Sequence, residues 1–266
     1  MKAPPPPPAR PDEAPARAAL VTYALLLALA ALAWVDVVRS MSAMDDMAGM
    51  EMAMAPSLPE GVFFVAAWTV MMAAMMLPSA SPMIALYAAT QRTAPSVAVR
   101  AAAVTQFALV YVAVWAATGL PIYLLTVALA ALGRLALAYG VAAMLIVAGL
   151  FQLSALKQVC LRNCRSPLGF LLGHWRPGWR GALSMGWAHA LYCLGCCWAL
   201  MLVLVVAGAM GLVWVLLVAA LVTAEKVLPG GDRVAWVSGV VLVMLGVAVA
   251  VRPEIAMVLR AGPPSM

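Results

Sequence analysis

The chain has 266 residues, 66% of them apolar and only 10% charged, with a formal net charge of +6 and a mean hydropathy of +1.03. Soluble domains run at about 45–50% apolar and about 25% charged, so a water-soluble enzyme is excluded: too few charges would cover too much apolar surface. A disordered chain is excluded by the lack of polarity, which leaves an all-α, polytopic transmembrane helix bundle.

In chain order, residues 1–17 contain an unbroken proline run from Pro4 to Pro8 and read as a disordered cytoplasmic tail. Residues 18–38 form the first apolar run, just long enough to span. Residues 39–60 read as a polar loop in which Met41, Met44, Met47 and Met50 recur every three residues, followed by Met52 and Met54. Residues 61–251 read as the main transmembrane bundle. Its first run, Gly61 to Ala89, contains Pro78 and Pro82, which free carbonyls that need partners in lipid. Spans are expected over 101–120, 134–156, 182–207, 212–224 and 234–251, so the whole chain has about seven. Residues 121–132 are apolar but short. Residues 252–266 are a short tail.

Basic residues set the expected orientation. With the N-terminus in the cytoplasm, inside segments hold twelve Lys and Arg and outside segments hold four. The positive-inside rule then puts the N-terminus on the cytoplasmic side. The +6 charge is the imprint of that topology, and nucleic acid is not an expected partner. The methionine-rich loop falls on the outer face.

Four constellations carry chemistry. The first is His189, Cys193, Cys196 and Cys197, drawn from a chain with five Cys and two His. At 100° per residue they fall within roughly 100° of helical arc and about 12 Å of axis. Thiolate and imidazole ligate zinc and copper, and thioether with thiolate favours Cu(I). A lone helical Cys is an ordinary packing residue; four such groups on one stripe point to metal or redox chemistry. The second is Met71, Met72, Met75 and Met76 beside Trp68, readable as gap-filling near a kink or as soft ligands. Both clusters sit at mid-depth, where ligating groups are functional candidates. The third is the outer loop, where Met44, Met47 and Met50 offer thioethers that need no deprotonation and suit Cu(I). The fourth is Cys160 and Cys164 in a basic loop that also holds His174. This is readable as a secondary metal or thiol site, or as a surface for anionic lipid. Glu225 is a candidate proton or ion-pair site.

Of the motifs Trp68-x-x-Met71-x-x-x-Met75-Met76-x-Pro78, Leu156-Lys157-x-x-Cys160-Leu-x-x-Cys164-Arg165-x-Pro167, His174-Trp175-Arg176-x-Gly178, Gly186-x-x-His189-x-x-Tyr192-Cys193-x-Gly195-Cys196-Cys197-Trp198, Gly208-x-Met210 and Glu225-Lys226, the run from Cys193 to Trp198 is specific and the rest support it. Over about residues 60–230 the chain resembles a bacterial family of predicted metal-binding integral membrane proteins, often labelled as copper proteins. The resemblance implies a membrane protein that handles a metal. The expected cargo is copper as Cu(I), with zinc as the other metal that a His-Cys set takes. The expected partners are the lipid bilayer, the metal ion and a metallochaperone or cuproprotein, with homo-oligomer formation left open. A binding protein is expected rather than an enzyme. The competing reading is a membrane thiol–disulfide oxidoreductase using the Cys193/Cys196 pair. A structural subunit whose Cys and Met only pack is a third.

Overall fold

The computed structural model describes residues 13–47, 58–91, 94–207 and 211–261, and every regular element among them is an α-helix. In chain order these are α1 (Glu13–Met47), α2 (Leu58–Thr90), α3 (Val97–Ala117), α4 (Gly119–Ala130), α5 (Arg134–Gln152), α6 (Ala155–Arg165), α7 (Pro167–His174), α8 (Gly178–Val206), α9 (Leu212–Val227), α10 (Gly231–Val251) and α11 (Glu254–Ala261). The proline run and Met50, Met52 and Met54 lie outside the described residues.

Among the described residues, six segments are long and apolar enough to cross a membrane: α1, α2, α3 with α4, α5, α8 and α10. The seventh expected span, α9, has 16 residues and is short against the roughly 20 that a bilayer core requires. Its contacts still run it antiparallel to its neighbours. Its last turn meets Cys193 on α8 and Ser238 on α10. Its first turns meet Val203 on α8 and Leu245 on α10 across a shared apolar cavity.

Several boundaries differ from the sequence reading. The first helix does not end at Val38 but continues to Met47, so Met44 and Met47 stand on its final turns and not in a loop. Met and Ala are good helix formers, and no Gly or Pro interrupts residues 39–47. The expected span over 134–156 stops at Gln152, and α6 starts anew at Ala155. Ser154 makes that restart, because its hydroxyl accepts from the Lys157 amide at 3.2 Å as an N-cap. The short run after Pro121 continues α3 past a break at Thr118, where the hydroxyl accepts from Trp68 Nε1 at 2.9 Å. The expected tail contains α11.

Pro78 and Pro82 leave α2 as one helix. Pro82 frees the Pro78 carbonyl, and the Ser81 hydroxyl donates to it at 2.8 Å.

The interior is organised around α8, which packs on α3, α5, α6 and α9. Glycine permits the closest approaches. A Cβ at Gly186 would meet the Phe107 carbonyl oxygen at 2.9 Å, so α3 crosses α8 backbone to backbone there. A Cβ at Gly149 would meet the Gly239 carbonyl oxygen at 2.6 Å, which places α5 and α10 in the small-residue packing common between membrane helices. The first helix is peripheral: it packs chiefly on α2, and Leu25, Leu29 and Leu32 point away from the bundle.

Candidate metal centre

Cys193, Cys196 and Cys197 lie on successive positions of one face of α8 and all three are buried. The break at Ser154 turns α6 back against that face. As a result Cys164 of α6 joins them: the sulfurs of Cys164, Cys193 and Cys196 all lie within 4.8 Å of one another. Cys196 Sγ is 3.7 Å from Cys164 Sγ and 3.2 Å from Cys197 Sγ. All five cysteines are free thiols. Three convergent sulfurs from two helices are a donor set for a soft, thiophilic metal.

A lysine stands at the edge of this group. Lys226 Nζ donates to Cys193 Sγ at 3.1 Å and to Ser79 Oγ at 3.2 Å, and lies 3.8 Å from Met76 Sδ. The Tyr111 hydroxyl, on α3, is hydrogen-bonded with the same Cys193 sulfur at 3.0 Å. The methionine cluster of α2 and the thiol cluster of α8 therefore adjoin through Lys226, with Met76 as the thioether nearest the junction.

Behind the thiols lies a second polar group. Lys157 is fully buried and donates to the Cys196 carbonyl and to Glu225 Oε2, the latter at 2.5 Å. Gln152 Nε2 donates to Glu225 Oε1 at 2.6 Å, and the Ser238 hydroxyl lies 3.3 Å from the same oxygen. This network links α5, α6, α8, α9 and α10. A buried ion pair of this kind offsets its desolvation only when its remaining groups are hydrogen-bonded. Glu225 thus pairs with Lys157 rather than with Lys226 or a loop arginine. Arg165 instead closes the α9–α10 turn, donating to the Leu228 carbonyl at 2.7 Å and to Asp232 at 3.2 Å.

The remaining predicted residues fall as follows. His189 is buried but lies outside the three-sulfur group. Its ring stacks on Tyr111 with centroids 5.5 Å apart, and neither ring nitrogen has a hydrogen-bond partner. Met72 and Met75 are buried in the core. His174 stacks on Phe170 and is not brought to the thiols. Cys160 is separated from its expected partner Cys164: its sulfur packs on α8 at Gly195, where a Cβ would meet it at 2.7 Å. Since α6 lies outside the six candidate spans, burial there pushes the Cys160 thiol above its ordinary range, against the pull of Lys157.

Sequence reasoning did not single out Tyr111, Gln152 or Ser238; Lys157 entered only as part of a motif, and Lys226 only as a candidate ion-pair partner of Glu225. The two lysines carried a signal: each stands at the end of an apolar run, where snorkelling to the surface is the usual expectation. Tyr111, Gln152 and Ser238 carried none, since each is an ordinary polar residue on an apolar helix until the fold brings it to the site.

A family model described as PpoB2, copper chaperone, matches residues 65–249. That stretch is well over half of the chain and holds every cysteine. No curated protein and no solved structure matches.

Proposed function

The chain belongs to the PpoB2 copper chaperone family, and from that premise we propose an integral membrane protein that holds Cu(I) on Cys164, Cys193 and Cys196 and passes it to a cuproprotein. The observation that carries this reading is the convergence of three buried sulfurs from α6 and α8 within 4.8 Å. Thiolates suit Cu(I), and each thiol that binds releases its proton, so loading is coupled to pH.

The other candidate ligands take roles according to place. Met44, Met47 and Met50 collect the ion at the outer surface. Met76, next to Lys226, stands at the entrance to the thiols, with Met72 and Met75 behind it on α2. Cys197 is a fourth sulfur beside Cys196. His189, with two unpartnered nitrogens, is the nitrogen donor nearest in sequence to the thiol stripe. The inner membrane is the proposed location, with the N-terminus cytoplasmic and the basic α6–α7 segment on the cytoplasmic side.

The test is metal binding by protein purified under reducing conditions. Wild type loaded with Cu(I) retains the metal after desalting, and Cys193→Ser/Cys196→Ser loses most of it. Equal metal in both forms removes these cysteines from the site. A metal-free protein with a reversible Cys193–Cys196 disulfide favours the oxidoreductase.

A further inference from the structure

Away from the thiols, α1 and α3 each pack on α2, and a cleft of about 600 Å³ lies between them with α2 as its floor. The cleft has two unlike ends. Its α1 wall runs from Arg17 to Leu29 and its α3 wall from Arg100 to Val112. Twelve residues of helix cover about 18 Å, slightly more than one leaflet of a core about 30 Å thick. Both arginines stand at the same end. Trp34 of α1 shares a cavity with Met75 and Pro78 of α2, so Arg17, seventeen residues earlier, is level with the end of α2 at Thr90. Arg100 is held there too, because its Nε donates to the Gln91 carbonyl at 3.2 Å. The rest of the lining is apolar except for Thr22 and Thr105, and it includes no Asp or Glu.

A ligand that fits has an anionic head, an apolar tail and the length of one leaflet. We infer that this cleft binds one anionic phospholipid from the bilayer, its phosphate at Arg17 and Arg100 and an acyl chain lying along α2. Charge complementarity selects the head: guanidinium groups present N–H donors in a fork that matches phosphate oxygens, and basic pockets between membrane helices on the cytoplasmic side take anionic headgroups. With the N-terminus cytoplasmic, as proposed above, the arginine end faces the leaflet that carries those lipids. The tail follows from Leu25 and Leu29 on α1, which turn away from the protein core and are 60% and 54% exposed. Bound in this way, the lipid joins α1 to α3. It thereby fastens the peripheral helix, whose far end carries Met44 and Met47, to the helix that brings Tyr111 to Cys193. The inference stands on the membrane reading and is independent of the copper site.

The experiment is native mass spectrometry of the full chain, released from micelles that contain equal phosphatidylglycerol and phosphatidylcholine, with thermal unfolding in the same lipids. Wild type is expected to retain one phosphatidylglycerol several-fold in excess of phosphatidylcholine, and phosphatidylglycerol is expected to raise its Tm. Arg17→Gln/Arg100→Gln loses both effects. Arg176→Gln/Arg180→Gln, which removes the same charge from exposed positions outside the cleft, keeps both. Thr105→Trp fills the cleft from an exposed lining position and loses the bound lipid with both arginines present. Equal loss in the two arginine pairs is attraction by overall charge and overturns the inference. Lipid retained in Thr105→Trp overturns the acyl seat. A Tm rise of the same size with inorganic phosphate alone is an anion site without a lipid and overturns it too, as does a dimer of the chain that forms in place of the lipid adduct.

Discussion

Cys160 and Cys164 stand one turn apart on α6, yet only Cys164 reaches the α8 sulfurs. This asymmetry separates ligand from packing. Cys164→Ser is expected to weaken Cu(I) binding by at least about a hundredfold, since disturbing even a residue that only supports a metal ligand costs about 10–100-fold. Cys160→Ser leaves affinity nearly unchanged, because its sulfur packs on Gly195; competition titrations against a Cu(I) chelator compare the two. The α8 stripe was legible from spacing alone, because helical periodicity puts residues 193, 196 and 197 on one face. Cys164 was not. It comes from a separate helix whose turn depends on Ser154, and sequence spacing pairs it with Cys160 instead. Lys226 was legible only as a candidate ion-pair partner of Glu225, and the approach of α9 to α2 and α8 brings it instead to Ser79 and Cys193.

The helices are tied together by two different devices. One is the Lys157–Glu225 pair, which joins α6 and α9 behind the thiols. Lys157→Met strands a buried carboxylate and is expected to destabilise by about 3–5 kcal/mol, whereas replacing both partners with apolar residues restores most of that. Thermal unfolding in detergent checks the order: single variants low, double variant near wild type. The other device is close glycine packing. Gly149→Leu, whose Cβ alone would meet the Gly239 carbonyl, forces α5 and α10 apart and is expected to cost about 1–3 kcal/mol; the same unfolding assay measures it. At this scale the spans were legible from apolar runs, but the α5–α6 break was not, since residues 134–156 read as one continuous run.

For the whole molecule, composition was enough to give a helical bundle, and the six long apolar helices agree with it. The number of crossings turns on α9, whose 16 residues are marginal by length while its contacts run it antiparallel to α8 and α10. If α9 crosses, the two termini face opposite sides; reporter fusions at each end are expected to show the N-terminus cytoplasmic and the C-terminus outside. Reporters on the same side would make α9 a re-entrant element. The metal reading is tested most directly by the first coordination shell of the loaded ion. X-ray absorption at the copper edge, on protein loaded with Cu(I) under reducing conditions, is expected to show a sulfur-dominated shell. Cys164→Ser and Cys193→Ser/Cys196→Ser are expected to lose most of the bound copper. A shell of nitrogen and oxygen only, or copper retained equally in all three proteins, would contradict a copper site built on α6 and α8.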